Sequence, residues 1–169
     1  FVEYMERNCL NPYSVSKCCG EDLCKMYWDL FGLETIIFRY FNVYGDRQPS
    51  KGPYAPVIGI FKKQLAAKQP MTVVGNGLQT RDYVHVSDVV SANILAATSS
   101  RDEVIGEIFN IGTGEAYSVM DLVWMMGGQS PYYGHLSSRI GELQHSKADF
   151  SKAREYLGWT PKIKLEEWL

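Results

Sequence analysis

No Gly-x-x-Gly-x-x-Gly or Gly-x-Gly-x-x-Gly occurs in the 169 residues, so they hold no dinucleotide-binding glycine loop, and no acidic ribose-binding residue can be placed on a following strand. The nearest imitations, Gly75-Asn76-Gly77 and Gly112-Thr113-Gly114, lack a third glycine at the required spacing and read as turns. No apolar run approaches the ~18–20 residues that cross a bilayer, and no signal-peptide pattern opens the chain. No membrane partner is expected. A basic block is absent as well, and a net charge of −2 argues against nucleic acid as a partner. Cys9, Cys18, Cys19 and Cys24 show no Cys-x-x-Cys spacing, which removes the common zinc and redox motifs and leaves them as small buried hydrophobes. His85, His135 and His145 are scattered without ligand spacing, so no metal is expected. At 46% hydrophobic residues the chain can bury a sizeable core, as a cytoplasmic globule would.

Periodicity supplies the elements. A helix is expected over about 12–31, then a strand over about 34–40, whose run Thr35-Ile36-Ile37-Phe38 suits burial on both faces. A loop rich in Gly, Pro and charge runs from Gly45 to Pro56. Beyond it come a helix over about 57–68, a strand at Met71–Val74, a helix over about 87–98 and a strand at Ile108–Ile111. Ser118-Val119-Met120-Asp121 starts another helix, Asp149–Leu157 forms one more that Gly158 ends, and Lys164–Leu169 begins a last helical pattern. Alternating helices and strands imply an α/β fold with a parallel sheet.

Tyr13 and Lys17 stand out in Asn11-Pro12-Tyr13-Ser14-Val15-Ser16-Lys17. Asn11 suits an N-cap and Pro12 the first helical position, so Tyr13 falls in the first turn. Residues four apart share a helix face, which sets the Lys17 ammonium beside the phenol. A cation within ~4–6 Å and the positive helix N-terminus both favour phenolate, the form that acts as a base.

That segment resembles the catalytic helix of the NAD-dependent epimerase/dehydratase family of extended short-chain dehydrogenases/reductases. Further matches follow in the family's order: Phe38-Arg39-Tyr40-Phe41-Asn42-Val43-Tyr44-Gly45, Thr80-Arg81-Asp82-Tyr83-Val84-His85-Val86-Ser87-Asp88-Val89, Phe109-Asn110-Ile111-Gly112-Thr113-Gly114, Arg139-Ile140-Gly141-Glu142, and Leu157-Gly158-Trp159-Thr160-Pro161. The resemblance implies the C-terminal part of a Rossmann-type doubly wound parallel sheet plus a small α/β substrate lobe. Residues 1–45 and 78–112 would belong to the NAD-binding domain, and 46–77 and 113–169 to the substrate-binding lobe. It also implies a truncated chain, missing on the order of 100–150 residues that would carry the glycine loop. Such a piece is expected to be inactive alone, with an exposed sheet edge and apolar face.

In the family, the tyrosine matching Tyr13 takes a proton from a sugar hydroxyl while hydride passes to nicotinamide, and the lysine matching Lys17 lowers the phenol pKa and holds the nicotinamide ribose. Phe41 matches a residue lining the nicotinamide and Asn42 one contacting the diphosphate of a sugar nucleotide. Arg81 and Arg139 match phosphate-binding arginines, whose paired donors suit phosphate oxygens. Glu142 matches an acidic residue that holds the nucleotide ribose, and Val57, Thr72 and Val74 align with contacts around the base. The implied cofactor is NAD, the implied partner a nucleotide-diphosphate sugar, and the implied reaction 4-epimerisation, with UDP-hexose as substrate. A 4,6-dehydratase of the same family, or a non-catalytic binding module, is the alternative. The family's homodimers use this helix at their interface, where Cys18, Cys24, Met26 and Trp28 would fit.

Overall fold

Helix α1 spans Pro12–Phe31 and starts as its sequence dictates. Asn11 Oδ1 accepts from Ser14 N at 2.9 Å and Ser14 Oγ accepts from Asn11 N at 3.2 Å, a reciprocal capping box with Pro12 just inside it. Gly32, at φ +66°, closes the other end by donating to Trp28 O. None of its 20 residues is buried. Leu30 and Phe31 are 68% and 69% exposed, and Leu23, Met26 and Tyr27 join them on the surface. The helix is nonetheless anchored. Arg39 on the neighbouring strand reaches Glu21 through two bonds, Nε to Oε1 at 2.7 Å and Nη2 to Oε2 at 2.8 Å. That hydrogen bonding holds the Arg39 guanidinium above its ordinary pKa. Arg7 adds contacts to Glu21 at 3.2 Å and Asp22 at 2.6 Å. Such a bidentate pair fixes geometry more than it adds stability.

The computed structural model describes residues 1–52, 55–128, 131–138, 141 and 143–169. Beyond α1 come β1 (Ile37–Tyr40), β2 (Asn42–Tyr44), α2 (Val57–Ala66), β3 (Met71–Val74), β4 (Thr80–Arg81), β5 (Tyr83–His85) and α3 (Val86–Ala97). They are followed by β6 (Ile108–Ile111), β7 (Tyr117–Ser118), α4 (Val119–Gly127), β8 (Tyr133–Leu136), α5 (Ser151–Leu157) and α6 (Leu165–Trp168). Three pairs are parallel, β1 with β6, β2 with β5 and β3 with β8, while β4 and β7 pair antiparallel. The expected α/β class is present. At Phe41 the chain changes partner: Phe41 N donates to Ile111 O at 3.0 Å, and Asn42 N to Asp82 O at 2.9 Å.

Two apolar clusters flank this junction. One holds Tyr44, Ile58, Phe61, Met71, Val73, Tyr83 and Leu122, the other Val84, Ala92, Phe109, Ile111, Ala153 and Trp159. Side chains alternate across β2 and β5, so Tyr44 and Tyr83 face the first while Val43 and Val84 face the second. Asp88 ties the C-terminal segment down: its Oδ2 accepts from Lys162 N and Ile163 N, both at 3.1 Å, and its carbonyl from Trp159 Nε1 at 2.9 Å.

Two expectations need correction. None of the four cysteines is buried, because α1 lies at the surface; Cys9 and Cys19 are exposed, Cys18 and Cys24 half-exposed. Trp28, half-exposed, also lies against Gly106, where a Cβ would stand 2.9 Å from Trp28 Cδ1. In the run 35–38 only Ile37, on the side facing α1, is buried; Ile36 and Phe38 on the other face pack only partly against the second cluster.

Candidate functional site

A cleft of about 620 Å³ opens along the strand junction. Phe41 and Asn42 form its base, Tyr13 from the first turn of α1 its rim, and Val57 at the start of α2 one wall. Thr72 and Val74 of β3 and Arg81 of β4 supply another. Residues chosen from five separate segments thus meet in one space. Lys17 does not line it, but its Nζ stands 5.3 Å from the Tyr13 ring centroid, as the four-residue spacing requires. Tyr13 is 60% exposed, so its hydroxyl is open to a ligand. Arg139 and Glu142 lie outside the described residues.

The walls are held by side-chain amides. Gln64 donates from Nε2 to Thr72 Oγ1 at 2.9 Å and accepts from Thr72 N at 3.1 Å, pinning β3 to α2. Buried Gln79 donates to Val74 O at 3.0 Å. Below Arg81, whose Nη1 donates to Thr80 O at 2.8 Å, Asp82 is fully buried and accepts four bonds. Thr113 N and Oγ1 donate to its Oδ1, both at 2.8 Å, and Gly114 N and Ala148 N to its Oδ2 at 2.9 and 3.0 Å. The Gly112-Thr113-Gly114 turn therefore spends its Thr113 and Gly114 donors on a carboxylate instead of a pyrophosphate. Gly75-Asn76-Gly77 is likewise a turn, with Leu78 N donating to Asn76 Oδ1 at 3.0 Å.

Tyr83 also lines the cleft, although the sequence did not flag it. Its side chain is 3% exposed, yet its hydroxyl has no hydrogen-bond partner among the described residues. Burial raises its pKa and the nearby Arg81 charge opposes that shift, so the group is a neutral donor. A buried hydroxyl without a partner is costly, which points to a ligand acceptor. The signal was available: residues 81 and 83, two apart on extended backbone, share a side. His85 sits elsewhere. Its Nδ1 accepts from Ser87 N at 3.2 Å and caps α3, and its ring packs against Tyr44 and Trp168. Among the described residues no cluster of His, Cys, Asp and Glu could hold a metal ion, and no helix is long and apolar enough to cross a membrane.

With this geometry in view, comparison with known proteins is informative. Residues 2–112 match the model of the NAD dependent epimerase/dehydratase family. A putative UDP-glucose 4-epimerase of Methanocaldococcus jannaschii is 42% identical over 163 residues, covering 95% of this chain and 51% of that protein. The crystal structure of UDP-glucuronic acid 4-epimerase from Bacillus cereus, in complex with UDP-glucuronic acid and NAD, superposes with a TM-score of 0.91 at 34% identity, over 98% of this chain and 52% of that one. UDP-glucose 4-epimerase of Thermotoga maritima, with UDP-glucose, gives a TM-score of 0.92 at 34% identity, over 99% and 54%. The chain spans about half the length of the curated relatives it matches.

Proposed function

Because this chain belongs to the NAD dependent epimerase/dehydratase family, we propose that it is part of a nucleotide-sugar 4-epimerase that takes a UDP-hexose and uses NAD. The observation that carries the reading is convergence: Tyr13, Phe41, Asn42, Val57, Thr72, Val74 and Arg81 line one cleft, with Lys17 set against Tyr13.

The residues present fit the nicotinamide end of NAD. The half-buried Phe41 ring offers an apolar face beside an accessible phenol and an ammonium, while the two Gly-x-Gly turns are committed to other contacts. Tyr13, Lys17 and Phe41 would hold that end. Bound there, NAD supplies the acceptor, and then the donor, of the hydride exchanged at C4. Tyr13 takes the proton of the C4 hydroxyl and returns it after the 4-keto sugar has presented its other face. Lys17 keeps a positive charge beside the phenol and donates to the nicotinamide ribose.

Substrate recognition falls to the opposite walls. Arg81 and Tyr83 aim donors at the diphosphate and Asn42 assists them. Val57, Thr72 and Val74 enclose the base, and Arg139 and Glu142 take the second phosphate and the ribose. Residues 1–45 and 78–112 serve the cofactor, 46–77 and 113–169 the substrate. The apolar surface of α1, Leu23, Met26, Tyr27 and Leu30, supports a homodimer in the full-length protein. Steady-state kinetics of the full-length protein with UDP-hexoses tests the reading. Tyr13→Phe should lower kcat by about 10²–10⁴ with KM little changed, as when a transition-state proton transfer is lost. Near-native turnover in that variant would remove Tyr13 from the mechanism.

A further inference from the structure

The sulfurs of Cys9 and Cys18 lie 3.4 Å apart, unbonded and within hydrogen-bond reach. Cys9 belongs to the segment leading into α1 and is exposed, whereas Cys18 follows Lys17 directly on the helix. Between them lie the Asn11 capping box, Tyr13 and Lys17. Arg7, two residues before Cys9, pairs with Glu21 and Asp22 on the next turn of α1. The approach of the two sulfurs is therefore held by charges outside the pair. Neither Cys19 nor Cys24 has such a sulfur neighbour among the described residues.

We propose that Cys9 and Cys18 are a redox-responsive pair, which a small-molecule disulfide oxidises to an intramolecular cystine bracketing Tyr13 and Lys17, and that the cystine form turns over more slowly. The hydrogen bond to Cys9 raises the Cys18 pKa, and Cys9 is the more exposed of the two sulfurs, so it is the attacking group. The Cys9 thiolate attacks one sulfur of oxidised glutathione, forms a mixed disulfide and expels one glutathione thiolate. Cys18 then gives its proton to solvent, attacks the Cys9 sulfur and expels the second. The protein loses two electrons and two protons, and one oxidised glutathione becomes two reduced ones.

Bond formation must shorten 3.4 Å to about 2.05 Å. The two sulfurs, one before α1 and one beside Lys17, must close by more than an ångström. A misplacement of about 1 Å near reacting groups can cost on the order of 10²-fold in rate. This effect on turnover rests on the roles given above to Tyr13 and Lys17; formation of the cystine does not.

The test uses the full-length protein in a Cys19→Ser, Cys24→Ser background, incubated with oxidised glutathione. Tryptic peptide mapping should find residues 8–17 linked to residues 18–25, with two hydrogens lost. Turnover should fall by at least about tenfold and return with dithiothreitol. Adding Cys9→Ser should abolish both the linkage and the sensitivity. Sulfurs that stay reduced, stop at the glutathione adduct or join between molecules would overturn the proposal, as would a linkage that leaves turnover unchanged. Absence of epimerase turnover in the reduced protein counts against the proposed function instead, while the peptide map still decides the cystine.

Discussion

Asp82→Asn exchanges one oxygen of a buried carboxylate for an NH₂ group that faces hydrogen-bond donors. If the amide nitrogen took the Oδ2 place, it would meet Gly114 N at 2.9 Å and Ala148 N at 3.0 Å, two backbone donors that cannot reverse. The Oδ1 place is less costly, because the Thr113 hydroxyl can rotate to accept and only Thr113 N is left opposed. Hydrogen bonds to a charged group are worth about 1.5–3 kcal/mol each, and an orphaned buried donor costs about 1–3 kcal/mol. Even the milder orientation should therefore cost about 2–4 kcal/mol, a large share of a typical domain's 5–15 kcal/mol. Urea unfolding of the full-length protein reads the loss as a lower midpoint at unchanged slope. Because Arg81 and Tyr83 flank Asp82, calorimetric affinity for UDP should fall with it. A destabilisation below about 1 kcal/mol would mean that the four bonds contribute far less than their geometry indicates.

Arg81→Ala should weaken UDP binding roughly ten- to a hundredfold while leaving uridine binding nearly unchanged, since only the charged ligand rewards the guanidinium; equal losses for both ligands would indicate unfolding. Tyr83→Phe should reduce UDP affinity about tenfold yet leave unfolding free energy within about 0.5 kcal/mol of wild type or slightly higher, because the lost hydroxyl has no partner among the described residues. Stability should also respond to pH through Tyr117, which is hydrogen-bonded to Glu166 and so joins β7 to α6. Glu166 is shifted below its ordinary 4.5 by the bond from Tyr117, so its contribution is present above that value and lost as pH falls through the lower folded one. Tyr117 is shifted above its ordinary 10.0, chiefly by burial and then by Glu166 and Glu115, so its contribution is present below 10.0 and lost as pH rises. Thermal unfolding across pH should show both limbs, each shallower in Tyr117→Phe; superimposable curves would remove the pair from the account.

Elements with their own periodicity were legible in the sequence. Pro12–Phe31 and Met71–Val74 fall where cap, spacing and turn residues place them, and Ile108–Ile111 likewise. The strands that escaped are two to four residues long and exist through distant partners: Asn42–Tyr44 pairs with Tyr83–His85, and Thr80–Arg81 with Tyr117–Ser118. Tyr133–Leu136 contains a glycine and a histidine and becomes a strand only beside Met71–Val74. In the site, motif residues were readable because their chemistry is local. The spacing of Tyr83 from Arg81 was readable too, but not that its hydroxyl is buried without a partner among the described residues. The sulfur pair was missed because nine residues of sequence separation carry no known motif.

β5 is a three-residue wall with a different cluster on each side, Tyr83 packed into one and Val84 into the other. A wall so thin cannot act as a hinge, because rotation about it would strip side chains from both clusters at once. Opening one cluster must expose the other through the same backbone. Amide protons of Val43, Tyr44, Val84 and His85 should therefore exchange with one common free energy, making the two clusters a single cooperative unit instead of two foldons.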